Sequence, residues 1–224
     1  MMRIILKKMT KIKSNRHNPV IHPHQRVGVF IDVQNLYYSA KNLYRKKVNF
    51  GNILNETVAG RKLIRAFAYV VRTESKEEMP FFDALYNLGI EKREKDLQIF
   101  YSGMKKADWD VGLTVDAIRL APSLDAVILV SGDGDYVPLI EYLQKSTGKY
   151  VEVAAFGETA SSKLIEVADS FLDLSDDQDR FLIVDRKLSE NKSQTGNNSN
   201  NGQKAVDYKK NNDRKQMHKK NIKK

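Results

Sequence analysis

Hydrophobic positions along the chain fall into short unbroken runs separated by segments of helical period. Val127–Val130 (VILV) is the clearest run, and with no alternation of polar residues it reads as a strand buried on both faces. Val27–Ile31 (VGVFI), Arg61–Val71 (RKLIRAFAYVV) and Tyr150–Phe156 (YVEVAAF) read as further strands. Between them, apolar residues recur at helical spacing. Gln34–Lys47 carries Leu36, Ser39/Ala40 and Leu43, and Glu74–Leu88 carries Phe81, Phe82, Leu85 and Leu88 before a stop at Gly89. Helices are also expected at Phe50–Ala59, Trp109–Leu120, Val137–Lys145 and Ser161–Ala168. Ile90–Tyr101 reads as a strand or an irregular stretch, Phe171–Leu174 as a short edge strand, and Phe181–Val184 as a last extended piece. Strand and helix alternate almost throughout, which predicts an α/β fold: a mostly parallel central sheet with helices on both faces.

Polar residues matter most where the apolar runs stop. Val27–Ile31 ends at Asp32, with Asn35 on the turn into the next helix, and Val127–Val130 ends at Ser131-Gly132-Asp133-Gly134-Asp135. In open α/β sheets, ligands bind beyond the carboxyl ends of the strands, so these acids stand where chemistry is expected. Asp32 can equally serve as the N-cap of its helix, a role that does not exclude a catalytic one. On the Trp109–Leu120 helix, Asp110 falls between two apolar stripes, Val111/Val115/Ile118 and Leu113/Ala117/Leu120, and so points inward near the helix N-terminus. Asp116 lies on the more polar side, where a pair with Arg119 explains it. Asp110 therefore ranks above Asp116. Asp133, nearer its strand end, is expected to contact a metal directly, and Asp135 to act through water or to cap the following helix.

Charge divides the chain. The 224 residues carry a net charge of +10. Residues 1–26 hold seven Lys/Arg and no acid, and residues 186–224 hold twelve against three acids, which leaves 19 basic and 25 acidic side chains between them. The central part is thus net −6. The expected organisation is a basic flexible arm at 1–25, a folded domain at 26–185 and a disordered Lys/Asn-rich tail at 186–224. Within the acidic domain, Lys41, Arg45, Lys46, Lys47, Arg61, Lys62, Arg65 and Arg72 concentrate positive charge, and together they could neutralise a phosphodiester backbone. Lys41, Arg45, Lys46, Lys105 and Lys106 are the candidates for RNA contact. The absence of cysteine excludes disulfides, thiolate zinc sites and a cysteine nucleophile, and it fits a cytoplasmic protein. No apolar run approaches the roughly 20 residues needed to cross a bilayer, and the apolar part of residues 1–7 is too short for a signal-peptide core.

Asp32, Asp110, Asp133 and Asp135, joined by Asn35, form a converging set of carboxylates. Such groups repel one another unless a hard divalent cation, Mg²⁺ or Mn²⁺, sits among them. A cation there can activate water and stabilise charge on a scissile phosphate, which points to nucleic-acid hydrolysis with no covalent protein nucleophile. No glycine-rich phosphate loop with Lys-Ser/Thr supports a nucleotide-hydrolysing alternative. The runs VGVFI-Asp32-VQ-Asn35-L, Asp108-W-Asp110-VGLTV-Asp116-AI and LVSG-Asp133-G-Asp135-YVPL resemble the NYN domain of the LabA-like group, within the PIN-like nuclease superfamily. The similarity covers about residues 26–175. It implies a three-layer PIN-like (Rossmannoid) domain and a metal-dependent ribonuclease. Asp32, Asp110, Asp133 and Asp135 would be metal ligands, Asn35 a polar ligand or substrate contact, and Asp116 and Asp108 possible further acids. The alternative is a non-catalytic RNA-binding regulatory module, in which an intact acid set would have no use. The oligomeric state is left open, a homodimer included.

Overall fold

The computed structural model of the protein describes residues 21–72, 78–96, 98–99, 105–106 and 109–183. Asp108, the tail beyond 186 and most of the basic arm lie outside the described residues. In chain order the elements are β1 (Arg26–Asp32), α1 (Val33–Tyr44), β2 (Lys47–Val48), α2 (Phe50–Val58), β3 (Lys62–Arg72) and α3 (Glu78–Asn87). They continue with β4 (Glu91–Asp96), β5 (Gln98–Ile99), β6 (Lys105–Lys106), α4 (Asp110–Leu120), β7 (Ala126–Val130) and α5 (Val137–Thr147). The described part closes with β8 (Tyr150–Ala155), α6 (Ser162–Val167), β9 (Ser170–Asp173), α7 (Gln178–Phe181) and β10 (Leu182–Ile183).

Six strands form one sheet in the order β4-β3-β1-β7-β8-β9, and every neighbouring pair is parallel. Two short antiparallel pairs, β10 with β2 and β5 with β6, lie apart from it. Because a parallel strand needs a crossover to reach its neighbour, helices accumulate on both faces and the strands must be apolar on both sides. On β1, Val27, Val29 and Ile31 face one core with Leu36, Ala40, Ile53, Phe82 and Leu85 of α1, α2 and α3. Phe30 faces the other, with Leu113, Ala117, Ile140, Leu143 and Leu164 of α4, α5 and α6. Register then aligns the two central strands, pairing Val29 with Ile128 and Ile31 with Val130. This is the expected three-layer fold.

Packing revises one sequence expectation and decides another that was open. On α4 only one of the two apolar stripes is buried: Leu113 and Ala117 are at 0% exposure, whereas Val111 is 74% and Val115 43% exposed. The strand β4, Glu91–Asp96, is charged at every position and carries no strand signal of its own, yet it pairs with Phe67–Arg72 of β3 as the sheet edge. An edge strand built from charges resists pairing with other chains, so its composition suits its place.

Arg61, which precedes β3, does not contribute to a basic surface. Its guanidinium is buried against Glu152 of β8, bonds the Thr57 and Val58 carbonyls at the end of α2, and meets Gln25 Oε1 at 3.0 Å. Arg65 and Arg72 pair with Glu91 and Glu94 across the β3–β4 edge. Three of the eight positive charges that look concentrated in sequence are therefore paired with acids within the fold.

The chain leaves β1 towards β3 on one side, while β7 pairs with β1 on the other. Strand order reverses at that point, and crevices in doubly wound sheets open there, beyond the strand ends. Asp32 ends β1 and Ser131 follows β7 across this crevice.

Candidate metal centre

Asp32 is held by the turn it starts. Its Oδ1 accepts the Asn35 backbone N–H at 3.1 Å and so caps α1. Its Oδ2 points the other way, accepting the Ser131 hydroxyl at 3.2 Å and the Tyr136 hydroxyl at 3.5 Å. The capping reading of Asp32 therefore holds through one oxygen, while the other is engaged by two hydroxyls. Asn35 uses its side-chain oxygen to accept the Gly132 N–H at 2.9 Å, which ties the β1–α1 turn to the loop after β7.

That loop is built for close approach. A Cβ on Gly132 would stand 3.0 Å from the Ala160 backbone, and one on Gly134 2.8 Å from the Ser161 hydroxyl. Ser161 donates its N–H to the Gly132 carbonyl at 2.9 Å, so glycine lets the 157–161 segment pack directly behind the loop. Asp133 caps the 3₁₀ turn Gly134–Tyr136 by accepting the Asp135 N–H at 3.0 Å. The cap expected of Asp135 at the following helix is not formed, since α5 starts after Tyr136 with no side-chain cap. Asp135 is exposed and free to face outward.

Asp110 arrives from α4. Trp109 pins the start of that helix: its indole donates to the Val70 carbonyl at 2.9 Å, and its ring lies 5.4 Å from that of Tyr69. Glycine at 112 makes room, since a Cβ there would meet the indole at 2.5 Å. So fixed, Asp110 accepts the Tyr136 hydroxyl at 3.1 Å.

Asp110, Asp133 and Asp135 each bring one carboxylate oxygen within 4.8 Å of the others. Asp32 is not within that set but shares the Tyr136 hydroxyl with Asp110, directly behind it. Burial pushes the Asp32 carboxyl up to about 6, with the charges of Asp110 and Asp133 adding to the rise and the Asn35 and Ser131 hydrogen bonds opposing it. Burial also drives the Tyr136 phenol well above its ordinary range, with the charges of Asp32 and Asp110 adding to it, so Tyr136 stays a neutral donor. The donor set is all oxygen, compact and anionic, with one face open, which fits Mg²⁺ or Mn²⁺ rather than a soft metal.

Tyr136 and Ser131 were not among the site residues expected from sequence. Ser131 is completely buried and accepts the Asp133 N–H at 3.2 Å as well as donating to Asp32. A tyrosine following two acids and a serine ending a strand carry no signal of this kind until the loop closes.

Asp116 lies apart from the acid group. It accepts the Tyr69 hydroxyl at 3.1 Å and pairs with Arg93 at 3.3 Å, not with Arg119 as its helical spacing suggests. Lys41, Arg45 and Lys46 follow α1 away from the acids; at about 1.5 Å per residue, Arg45 is roughly 15 Å along the helix from Asn35. Lys41 Nζ donates to the Tyr37 hydroxyl at 3.2 Å, and Arg45 closes the helix in a left-handed conformation at φ 57°. Lys105 and Lys106 form β6. Among the described residues, no helix is long and apolar enough to cross a membrane.

Comparison with known proteins finds relatives of the same fold. The chain is 28% identical over 162 residues to the low amplitude and bright protein LabA of Synechococcus elongatus, covering 67% of this chain and 84% of that one. A crystal structure of a protein of unknown function from Vibrio parahaemolyticus superposes with a TM-score of 0.67 at 33% identity, covering 73% of this chain and 99% of the other. Residues 26–176 match the NYN domain from end to end of the main sheet, and the chain belongs to the NYN domain family, in its LabA-like group.

Proposed function

We propose that this NYN domain is a Mg²⁺- or Mn²⁺-dependent ribonuclease that hydrolyses RNA phosphodiester bonds. The observation that carries the reading is the grouping of Asp110, Asp133 and Asp135 within 4.8 Å, backed by buried Asp32, at the point where the strand order reverses. Asp110, Asp133 and Asp135 would hold the cation, with Asp32 behind them. When bound, such a cation neutralises phosphodiester charge and activates an attacking water.

The chain's own residues supply placement. Tyr136, kept protonated by its burial, donates to Asp110 and Asp32 and holds two carboxylates at a shared spacing that their repulsion would otherwise open. Asn35 and Ser131 fix the loop that carries Asp133 and Asp135 against the end of β1. The chain has no cysteine, and the Ser131 and Tyr136 hydroxyls are turned onto the carboxylates, so in this reading water is the attacking group. A purely RNA-binding role is less well supported, because Arg61, Arg65 and Arg72 spend their charge on Glu152, Glu91 and Glu94.

A time course on end-labelled RNA with Mn²⁺, Mg²⁺ or EDTA tests the reading. Cleavage by the wild type that requires the metal and is lost in Asp133→Asn is the expected result. No metal-dependent cleavage, or undiminished cleavage by Asp133→Asn, removes it.

A further inference from the structure

The helix α1 leaves the acid centre with an unusual outer face. It contains no acidic residue, although residues 27–185 are net −6. Leu36, Ser39 and Ala40 are turned into the core, which leaves Tyr37, Tyr38 and Lys41 facing outward, with Arg45 at the helix end. Tyr37 is 45% and Tyr38 54% exposed, large aromatic rings that reach into water. The two rings meet edge to face, with centroids 5.4 Å apart and planes at 72°. Lys41 Nζ lies 5.2 Å from the Tyr37 ring centre. Tyr38 is one helical turn from Asn35, whose side chain holds the loop carrying Asp133.

Aromatic rings interleaved with cations match a single strand of nucleic acid, whose unpaired bases stack on rings while the phosphates meet Lys or Arg. A duplex hides its base faces and offers Tyr37 and Tyr38 nothing to stack on. An acid-free, cationic helix face in an acidic domain is complementary to a polyanion and repels the same face of another copy.

We propose that Tyr37 and Tyr38 form a base-stacking platform that leads single-stranded RNA along α1 into the acid centre, with Lys41 and Arg45 on the phosphates. The proposal rests on the ribonuclease reading for its substrate class, but its test does not need catalysis. Spacing supports the path: at about 1.5 Å per residue, Tyr38 stands roughly 9 Å along the helix from Asp32, so a stacked base would set which phosphate reaches the acids.

The test uses the full chain in EDTA, with binding of a fluorescein-labelled oligouridylate of 20 nucleotides and of a duplex RNA of equal length read by anisotropy at low and high salt. Tyr37→Ala and Tyr38→Ala are each expected to weaken single-strand binding about tenfold. Tyr38→Phe, which keeps the ring, should restore wild-type affinity, and Tyr86→Ala, at an 82% exposed tyrosine on α3, should stay within about twofold of wild type. Lys41→Ala should lower the slope of log affinity against log salt by about one, while the tyrosine variants leave that slope unchanged. Single-strand affinity within twofold of wild type in both alanine variants overturns the proposal, as does equal loss of duplex binding. A change in self-association by sedimentation with RNA binding intact would also overturn it, making this face a contact between copies. Absence of cleavage by the wild type would sink the ribonuclease reading alone, since every binding result stands without metal.

Discussion

Replacing Asp32 by asparagine isolates the cost of keeping a carboxylate beneath the acid centre. Asp32 is 8% exposed, and its carboxyl is raised from 3.8 to about 6, chiefly by burial. For an acid, a folded-state value above the unfolded one means that the folded chain holds its proton more tightly. The stability contributed by the protonated form is then fully present below about pH 4 and lost as pH rises through about 6. By about pH 7.5 the loss is on the order of 3 kcal/mol, and roughly 2 kcal/mol of it develops above pH 4.5. Asparagine keeps an oxygen for the Asn35 N–H and cannot ionise; its amide must face the Ser131 and Tyr136 hydroxyls, which turn to accept. That exchange of partners is the same at every pH, so the pH-dependent part isolates the charge. Urea unfolding in EDTA should show Asp32→Asn gaining roughly 2 kcal/mol on the wild type between about pH 4.5 and 7.5. Mn²⁺ held by Asp110, Asp133 and Asp135 should narrow that difference, because its charge favours the ionised form of Asp32. A gap that does not change with pH would refute the argument that Asp32 is held as a costly buried acid.

The remaining expectations follow from the same geometry. Tyr136→Phe removes the hydroxyl shared by Asp110 and Asp32, a charge-assisted bond worth about 1.5–3 kcal/mol, and kcat/KM for RNA should fall on the order of tenfold or more; an unchanged rate would mean the hydroxyl holds nothing in place. Arg61→Met leaves Glu152 buried and unpaired and should cost about 3–5 kcal/mol in urea unfolding, most of which Arg61→Met with Glu152→Leu should recover. Asp116→Asn, bonded to Tyr69 and Arg93 outside the acid group, should leave Mn²⁺ affinity within about twofold of wild type by calorimetry, while Asp110→Asn should weaken it on the order of 100-fold.

The central strands were legible because burial on both faces writes itself as an unbroken apolar run, as in Val127–Val130. The strand β4 was legible only as strand or irregular structure, because Glu91–Asp96 holds its place through backbone pairing with β3 and needs no apolar side chain. Periodicity on α4 gave two apolar stripes and no means of telling which one the sheet covers; the exposure of Val111 and Val115 decides it. Asp32, Asp110 and the Asp133/Asp135 pair stood out as acids at apolar boundaries, but their division of labour depends on contacts distant in sequence. Asp133 caps a turn because the 3₁₀ geometry presents the Asp135 N–H to it. Asp116 found Tyr69 and Arg93, 47 and 23 positions away, in preference to the helical neighbour Arg119. Tyr136 carried no signal at all until the loop brought its hydroxyl between two carboxylates.

The most direct measurement is anomalous scattering from crystals of the full chain soaked in Mn²⁺. A peak within about 2.3 Å of oxygens from Asp110, Asp133 and Asp135, with Asp32 behind it, is the result this account predicts. A peak elsewhere, or none at Mn²⁺ concentrations that saturate RNA cleavage, would contradict it.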